Sequence, residues 1–441
     1  MKVTTRAPAQ NAGIPGYPNV QTGSGRQLST DFLSAPSEAQ RNADSLRVGP
    51  SNRVMHEIPV AGLFSGAADF WASDWDALVE PAGFYNSHAW IRGLEFAYGA
   101  SPVLAATASA RLTGLIPTWK NTEPAGLFDL AELTRGLPGR WDRKVLWLGT
   151  RRGTLNTITC TPEPDMRRRT LNVLLESARH LARAQGLSSA VWPYLTGKAA
   201  QEIASCHPRA QVILHSADAS IKVPADGMRG MVSAARSRDR KEWNREQRIF
   251  RDSGGSVEWV ALSPRVCDLV APLLARTRDK YGSSGGIAAM RRTLSGQFAS
   301  GVAKDALVAL GRTGAKVTAA AVFYRRDLDH WLYGRYWGKS ENAPRYAYHV
   351  LTCYEPINWA AQNGFNHLHL SVPATQSKIS RGARVSPLAL VVIPSADAKV
   401  IDDQILRRHN ERLAQKWVRS VSSLRRDPDA IWAPWTTRTG G

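Results

Sequence analysis

The amino-acid sequence predicts an α+β (α/β) fold built from two similar units, each a mixed, mostly antiparallel sheet flanked by helices. Each half of the chain has runs of β-forming residues joined by short turns, then an amphipathic helix, then one more strand. A glycine ends that helix in both halves, within ARAQGLSSAVWP near residue 182 and AAQNGFNHLHLSVP near residue 360. The repeated order indicates a duplicated unit, and a basic helical stretch lies between the two copies.

Composition fits a globular chain with an anionic partner. The 441 residues are 43% hydrophobic and 21% charged, which is enough for two or three domains with a sizeable core. Lys and Arg number 57 against 37 Asp and Glu, so the formal net charge is +20. This excess says nothing about fold. It favours nucleic acid, a phosphorylated cofactor or an anionic membrane surface as a partner.

Several classes of protein are disfavoured by missing motifs. Cys160, Cys206, Cys267 and Cys353 form no CxxC pair, so neither a zinc site nor a disulfide framework is predicted. The sequence also has no GxSxG and no GxxxxGK[ST], the motifs of serine hydrolases and P-loop proteins. There is no signal-peptide stretch and no run of about 18 apolar residues. We therefore expect a cytoplasmic, metal-free protein with no integral membrane segment.

The first half is predicted to comprise a flexible leader over residues 1–52, rich in Pro, Gly, Ser, Asn and Gln, and a domain over residues 53–225. FYNSHAWIRGLE begins a helix with Asn86 or Ser87 as its N-cap. The remaining predicted elements are strands at 103–109, 112–119, 144–149 and 154–160, a helix at 166–185 and a strand at 188–195.

The second half is predicted as a domain over residues 226–398, followed by a closing helix and an irregular tail over residues 399–441. It begins with one long basic helix over residues 228–253. The remaining predicted elements are helices at 264–281 and 287–300, strands at 306–313, 316–325 and 330–338, a helix at 348–362, a strand at 367–373 and the closing helix at 399–420.

The basic helix is a candidate RNA contact. A protein that neutralises several phosphates gains affinity through counterion release. Four acids are interspersed in this stretch, so a solvated charged face is the alternative interpretation. The candidate RNA-binding residues are Arg236, Arg238, Arg240, Lys241, Arg245, Arg248 and Arg251.

Four features together resemble the Fem-type peptidyltransferases of the GNAT superfamily: the basic helix ending in Gly-Gly, the meander ending LYGRYWG, the helix beginning AYHVLTCYEPINWA, and the segment HLHLSVPATQSKISRGA. The resemblance covers roughly residues 84–393. It implies two tandem GNAT-like domains that take an aminoacyl group from a charged tRNA and place it on an amine. Members of the family act on peptidoglycan precursors or on small natural-product intermediates, as in antibiotic biosynthesis.

The resemblance also implies a role for Lys378, which falls where the family's loop carries a functional lysine, although Ser377 replaces the family's aromatic residue. Aminolysis of an ester needs a cation or N–H group where negative charge develops on the carbonyl oxygen. Lys378 is therefore the predicted charge stabiliser. Arg381 and Arg384 lie close enough in sequence to bind a phosphate or carboxylate of the substrate.

The strand at 330–338 is predicted to line an acyl-donor cleft, because GNAT-like folds form this cleft where a strand splays. Strand alternation puts Tyr333 and Arg335 on one face and Tyr336 on the other, as substrate-binding candidates, and Gly334 marks the irregularity. Glu355, before Pro356 and so close to a helix start, is the predicted second catalytic residue, which orients the amine or acts as a base.

The histidines at 330, 349, 367 and 369 are interpreted as structural, since no third metal ligand stands at a recognisable spacing. WGKSENAPRYA occupies the place where acetyl-CoA enzymes carry a pyrophosphate-binding loop, which argues against that donor. The sequence therefore predicts no cofactor, with aminoacyl-tRNA as co-substrate and a small-molecule amine as acceptor. Two alternatives remain open: an N-acyltransferase that uses acyl-CoA or a carrier-protein thioester, and a non-enzymatic, basic RNA-binding protein. The amino acid, the acceptor and the oligomeric state are not predicted.

Overall fold

The computed structural model describes residues 58–120, 126–138, 141, 144–280, 282, 285–396, 400–424 and 430–436. The predicted leader at residues 1–52 lies outside these ranges. Within them, no helix is both long enough and apolar enough to cross a membrane.

The strands form one mixed sheet. In chain order they are β1 Val60–Phe64, β2 Val103–Ala108, β3 Arg111–Trp119, β4 Val145–Leu148, β5 Thr159–Cys160, β6 Ser189–Thr196, β7 Gln211–Lys222, β8 Gly255–Ala261, β9 Ala306–Thr313, β10 Lys316–Arg326, β11 Trp331–Lys339, β12 His367–Ser371 and β13 Arg384–Pro394. Their order across the sheet is β1-β2-β3-β4-β6-β13-β7-β12-β11-β10-β9-β8, with β5 paired to β3.

Helices cover the sheet. They are α1 Ala72–Asp76, α2 His88–Tyr98, α3 Leu130–Leu133, α4 Pro164–Ala184, α5 Gly197–Cys206, α6 Met228–Ala234, α7 Ser237–Asp252, α8 Pro264–Lys280, α9 Gly286–Ala299, α10 Ala347–His349, α11 Glu355–Gln362, α12 Thr375–Ile379, α13 Asp403–Ser423 and α14 Ala433–Thr436. Apolar side chains pack on both faces of the sheet, with Leu332 and Leu368 in one cluster and Val322 and Tyr333 in the other. The predicted class, a mixed sheet flanked by helices, is confirmed.

The two halves repeat one topology. Strands β1 to β4 form an antiparallel series, and α4 then leads to β6, which runs parallel to β4. Strands β8 to β11 form a second antiparallel series, and β12 runs parallel to β11 after α10 and α11. The last strand of each half pairs in the other half: β7 with β12, and β13 with β6. These two exchanged strands also pair with each other, so one sheet holds both halves. The domain boundary at residues 225 and 226 stays a prediction.

Most elements with strong periodicity are found where the sequence predicts them, including β2, β3, α4, β6 and the meander β9 to β11. Four strands were not predicted: β1, β7, β8 and β13. Strand β13 is buried along almost its whole length between two other strands, so it shows no alternation of apolar and polar residues. The predicted strand at 154–160 is wrong over most of its length, since only Thr159 and Cys160 pair with β3.

Two further predictions are corrected. The single basic helix is two helices, α6 and α7, because Ala235 and Arg236 adopt extended backbone with ψ of 153° and 152°. No Gly or Pro stands at the break. The Met228 amide donates to the Asn358 side chain at 2.9 Å, which anchors the start of α6 to α11. The predicted irregular tail is helical over residues 430–436, where the buried Trp432 donates to the Val385 carbonyl at 2.9 Å.

Candidate active site

The candidate active site lies where β11 and β12 separate. The two strands pair in parallel over three residue pairs, the last being Tyr333 with His369. Beyond that pair β11 bonds to β10 alone and β12 to β7 alone. We call the gap beyond Tyr333 and His369 the C-terminal splay. Main-chain groups at such a gap form no hydrogen bonds to a neighbouring strand, so they and the adjacent side chains can contact a ligand.

A β-bulge in β11 at this point changes which side of the sheet the following side chains face. Tyr336 pairs with Val322 and Gly334 pairs with Phe323, which leaves Arg335 without a partner on β10. Gly334 is needed, because a Cβ atom there would stand 3.0 Å from the His369 carbonyl oxygen. The predicted alternation is therefore wrong for Tyr336. The bulge puts the Tyr336 side chain on the same side of the sheet as those of Tyr333 and Arg335. The Arg335 guanidinium lies 4.8 Å from the Tyr336 ring centre.

His369 and Asp218 form a buried pair at the floor of the splay. The His369 side chain has 0% exposure, and its Nε2 lies 2.8 Å from the Asp218 carboxylate on the exchanged strand β7. The other ring nitrogen, Nδ1, is buried and has no hydrogen-bond partner among the described residues. A carboxylate on Nε2 fixes the proton there, so Nδ1 carries the free lone pair.

Aromatic rings form the wall beside His369. The ring centres of Tyr85 and Tyr333 lie 5.9 and 5.3 Å from that of the histidine. Phe84 stacks on Tyr333 at 5.0 Å. Burial raises the pKa of both tyrosines, which keeps their hydroxyls neutral. The wall thus excludes water and adds no charge.

Lys378 approaches the same place from α12. Its side chain is 4% exposed, and its Nζ donates to the carbonyl oxygens of Leu370 and Ser371 at 2.5 and 2.8 Å. Burial lowers the pKa of Lys378 to about 8, against the opposing effect of the Asp218 charge. Ser371 has a positive φ of 63°, and its hydroxyl lies 2.6 Å from that of Thr154. This turn of the backbone presents two carbonyl groups to one ammonium.

Arg335 lies at the rim of the splay. Its guanidinium is 5.8 Å from the Tyr85 ring centre, and its Nη2 donates to the Arg152 carbonyl. The Nε atom is buried without a hydrogen-bond partner among the described residues. An arginine so placed has donors left for a ligand.

Arg381 sits in a different environment. All three of its nitrogens are bound: Nη2 and Nε contact the Glu246 carboxylate at 2.5 and 3.3 Å, and Nη1 donates to the Ser377 carbonyl at 2.8 Å. Burial raises the pKa of Glu246, but hydrogen bonds from His349 and Tyr354 and the Arg381 charge outweigh it and lower that pKa to about 2. These contacts give Arg381 a structural ion pair, and its predicted substrate contact stays a prediction.

The other two predicted residues are not at the splay floor. Arg384 is exposed at the first position of β13. Glu355 does not begin a helix, because α10, a π-helical turn over Val350–Tyr354 and α11 run on without a break. The wider π turn accommodates Pro356, which cannot donate a helical hydrogen bond. Burial raises the pKa of Glu355, against the effect of Arg251.

Helix α7 presents its basic residues to solvent. The buried stripe of the helix is Trp243, Glu246 and Phe250. The seven predicted RNA-binding residues are exposed, on the helical positions that face away from this stripe or flank it: Arg236, Arg238, Arg240, Lys241, Arg245, Arg248 and Arg251. Arg236 also donates to the Leu424 carbonyl at 3.1 Å.

Sequence reasoning missed the most distinctive pair of this site. It gave His369 a structural role and did not single out Asp218, which lies on a strand that was not predicted. The alternation HLHLS puts His367 and His369 on one face of β12, but nothing local marks Asp218, 151 residues away in sequence. No group of three or more His, Cys, Asp or Glu side chains suited to a metal occurs in the part of the chain described.

The chemical capacity of the splay follows from these contacts. The free Nδ1 of His369 can accept a proton, and Asp218 stabilises the imidazolium that results. Lys378 supplies a buried positive charge beside it. A proton acceptor and a cation in a water-poor gap are the two groups that aminolysis of an ester or thioester requires.

Residues 154–415 match the FemAB-like family model, described as peptidoglycan biosynthesis/recognition. Solved structures that resemble the chain include FemX, at 11% identity and a TM-score of 0.48 over 74% of this chain and 96% of that one. L-PGS from Bacillus licheniformis is similar at 10% identity and a TM-score of 0.46, over 74% of this chain and 92% of that one. A tandem GNAT protein from the clavulanic acid biosynthesis pathway is similar at 11% identity and a TM-score of 0.43, over 77% of this chain and 100% of that one. No curated protein matches.

Proposed function

The chain belongs to the FemAB-like family, since its family model covers more than half of the sequence, and on this premise we propose that it is an aminoacyltransferase. The membership supports an acyltransferase in peptidoglycan-related biosynthesis. Our proposal is narrower: the protein moves an amino acid from aminoacyl-tRNA to the amine of a small-molecule acceptor, a cell-wall precursor or a natural-product intermediate, and forms an amide bond.

The observation that carries the proposal is His369 at the splay: Asp218 binds its Nε2, and its Nδ1 has no hydrogen-bond partner among the described residues. The acceptor amine attacks the ester carbonyl carbon of the charged tRNA, so a C–N bond forms as the ester C–O bond breaks. His369 Nδ1 takes the proton that the amine loses. The same proton then passes to the departing ribose oxygen, which leaves as a hydroxyl group.

Lys378 stabilises the negative charge that develops on the carbonyl oxygen. An ammonium group has three donors, and two of them bond to the Leu370 and Ser371 carbonyls. The third remains for the substrate. The two carbonyls fix the direction of that third donor, so little reorganisation is needed when charge develops.

The exposed basic face of α7 supports tRNA as the donor. Six cations on the solvent-facing side of α7, with Arg236 at its N-cap, can contact several phosphates of a nucleic acid, whereas a small thioester needs far less positive surface. No cofactor enters this scheme. The cytoplasmic location stays a prediction.

The test is transfer of radiolabelled amino acids from a pool of charged tRNAs to a small-molecule cell extract. One control contains RNase, and a second replaces the charged tRNA with labelled acyl-CoA. We expect an RNase-sensitive product whose label resists mild alkali, because amides survive conditions that hydrolyse the aminoacyl ester.

Label in product only from acyl-CoA would contradict the tRNA donor and leave an ordinary N-acyltransferase. No product from either donor, with charge reversal along α7 abolishing RNA binding, would instead support the non-enzymatic RNA-binding alternative. Transfer that survives His369→Gln unchanged would contradict the mechanism while leaving the reaction class in place.

A further inference from the structure

A cavity lies at the opposite end of β11 and β12 from the C-terminal splay. It has a volume of about 340 Å³ and lies between the β10–β11 turn and the turn that joins α11 to β12. Pockets for small molecules run from about 300 to 1,000 Å³, so a single flat ring system fits here. We call this cavity the turn pocket, and its side-chain lining is Arg325, Asp327, His330, Trp359, Asn363 and Phe365.

Main-chain hydrogen bonds join the two turns that frame the turn pocket. The His330 carbonyl accepts from the Asn366 and His367 amides at 3.1 and 3.3 Å. The Asn366 carbonyl in turn accepts from the Val223 amide at 2.8 Å, which ties this turn to the end of β7. The walls of the pocket are therefore in place before a ligand binds, and little ordering is needed on binding.

Aromatic rings form the apolar part of the turn pocket. Trp359 is half-buried, and its ring centre lies 5.7 Å from that of Phe365 and 5.5 Å from that of Trp259. Contact with these two rings holds the indole in one orientation while part of its surface stays accessible. A tryptophan held in this way is a platform on which a flat aromatic ligand stacks.

Asp327 gives the turn pocket a hydrogen-bond acceptor. The residue is exposed, and its carboxylate forms no hydrogen bond or ion pair within the described part of the chain. Asp329 in the same turn differs, because its carboxylate lies 3.6 Å from the Arg326 guanidinium and accepts from the Ala82 amide at 2.7 Å. Both oxygens of Asp327 are therefore left for a ligand, and an ionised carboxylate only accepts.

Arg325 adds hydrogen-bond donors to the same pocket. Its Nη2 donates to the Lys304 carbonyl at 3.3 Å and lies 4.0 Å from the Asp305 carboxylate. Its Nε has no hydrogen-bond partner among the described residues. A guanidinium has five N–H donors, so these contacts leave several of them for a ligand.

The ligand that matches this lining is flat and has both donors and acceptors along its edge. An alkyl chain would leave the Asp327 carboxylate without a partner, and a phosphate group alone would be repelled by it. Guanine offers two neighbouring N–H donors, on N1 and N2, which match the two oxygens of a carboxylate, and its O6 and N7 accept from a guanidinium. Uracil has a single N–H between two carbonyl groups, which a carboxylate repels. We propose that the turn pocket binds a nucleobase, with guanine preferred over uracil.

The basic face of α7 indicates where such a base comes from. Trp243 and Phe250, on the buried stripe of α7, belong to the same apolar cluster as Phe365. Helix α7 and the turn pocket therefore lie on the same side of the sheet. An RNA held by α7 places its unpaired nucleotides on this side, so the base belongs to the tRNA donor. This last step rests on the proposed function, whereas binding of a base by the pocket does not.

The first experiment is calorimetric titration of the full chain with guanosine and with uridine. Neither nucleoside carries a phosphate, so the basic surfaces of the protein do not contribute. We expect saturable guanosine binding, at least tenfold tighter than that of uridine. Trp359→Leu should weaken guanosine binding at least tenfold, and Asp327→Asn should weaken guanosine binding at least fivefold without weakening that of uridine. Trp71→Leu and Asp74→Asn are the matched controls, since both residues are exposed in the first half, and they should bind as the unmodified protein does.

Absence of saturable guanosine binding by the unmodified protein would overturn the proposal, and this result does not depend on whether any variant folds. Equal affinity for uridine, or saturable binding of N-acetylglucosamine in place of guanosine, would also overturn it. Circular dichroism identifies a misfolded variant, and Trp359→Phe, which keeps a ring, then replaces Trp359→Leu with an expected threefold or greater weakening. Photolabelling with azidoguanosine should mark the peptides that contain Asp327 or Trp359, and label confined to other peptides would contradict the site.

The second experiment tests the link to tRNA. Trp359→Leu should raise the KM for charged tRNA at least threefold and leave kcat nearly unchanged, because the pocket lies away from the reacting groups. An unchanged KM in a variant that has lost guanosine binding would overturn the link and leave the proposed function standing. Failure of all transfer by an unmodified protein that binds guanosine would contradict the proposed function and leave the nucleobase site standing.

Discussion

The molecule contains a second splay, and it is closed. In the first half β4 and β6 pair in parallel over three residue pairs that end at Trp147 with Val191, as β11 and β12 do up to Tyr333 with His369. We call the gap beyond Trp147 and Val191 the N-terminal splay. The chain itself occupies it: Asn156 forms a parallel bridge with Leu195, and its amide nitrogen donates to the Tyr194 carbonyl at 2.7 Å.

Polar groups in the N-terminal splay are largely satisfied. The Asn156 side chain accepts from the Thr150 amide and donates to the Pro193 carbonyl, both at 2.8 Å. The nearby half-buried His215 has a partner on each ring nitrogen, the Tyr194 amide at 3.4 Å and the Ser216 hydroxyl at 2.8 Å. The unpaired groups there include the indole N–H groups of Trp147 and Trp192, which do not titrate.

In the C-terminal splay, His369 Nδ1 and Arg335 Nε have no hydrogen-bond partner among the described residues, and the Lys378 ammonium has two for its three donors there. One topology thus yields a gap whose polar groups are bonded and support the fold, and a gap whose buried ionisable groups keep bonding capacity for chemistry. Substitutions in the N-terminal splay should therefore lower stability, whereas those in the C-terminal splay should lower activity.

The largest expected effect is on activity at the C-terminal splay. His369→Gln keeps an amide that can donate to Asp218 but removes the basic Nδ1, so we expect transfer to fall about 10²- to 10⁴-fold with little change in substrate affinity. His215→Gln in the N-terminal half is the matched control and should retain activity. Single-turnover transfer rates with charged tRNA check both. Equal losses in the two variants would abolish the distinction between the splays.

The next effect is on stability at the N-terminal splay. Asn156→Ala leaves the Thr150 amide and the Pro193 carbonyl without their buried partner, so the free energy of unfolding should fall by about 2–4 kcal/mol. Urea unfolding followed by tryptophan fluorescence measures this. Transfer activity, tested on the folded variant, should change far less. A variant as stable as the unmodified protein would show that the gap is not closed by these bonds.

The third effect is a pH dependence of stability that comes from Lys378 in the C-terminal splay. Burial lowers the pKa of Lys378 from 10.5 to about 8, so between these pH values the unfolded chain binds a proton that the folded chain has released. Stability from this group must therefore rise with pH over that interval. Relative to Lys378→Met, the unmodified protein should gain about 2–3 kcal/mol between pH 7 and 10.5. Parallel pH curves for the two proteins would mean that Lys378 titrates normally.

The smallest effect concerns the hairpins that lead into the two splays. The β2–β3 turn places Ser109 and Ala110 at φ of 47° and 62°, whereas the β9–β10 turn uses Gly314 at 58°. Ala110→Gly should raise the free energy of unfolding by about 0.5–1 kcal/mol, and Gly314→Ala should lower it by a similar amount. No atom lies within 4 Å of a Cβ at Gly314, so the effect is one of backbone alone. Thermal unfolding of both variants tests the sign.

Sequence patterns predicted the repeated architecture well because the signals are local. Helix α4 has a full apolar stripe and a glycine stop, and the meander β9 to β11 has tight turns at regular intervals. The same reasoning failed for β7 and β13, which lie between other strands and are buried on both faces. Without alternation, such strands look like any apolar run.

The candidate site was predicted only in part. Lys378 and Arg335 were selected, and the structure brings both to the C-terminal splay. Arg381 was selected beside them, yet it is engaged by Glu246, which no local pattern indicates over 135 residues of separation. Tyr336 was given the wrong face, since a bulge changes the alternation by one residue and leaves no mark in composition.

The sequence by itself determined the fold class, the duplication, the basic face of α7 and the family resemblance, because each depends on periodicity, charge or motifs within a short stretch of chain. Tertiary structure alone decided the pairing of His369 with Asp218 and the closure of the N-terminal splay by Asn156. These features arise when the last strand of each half crosses to the other half and one sheet joins distant segments. A contact between residues 151 positions apart is fixed by packing of the whole sheet and has no local signature.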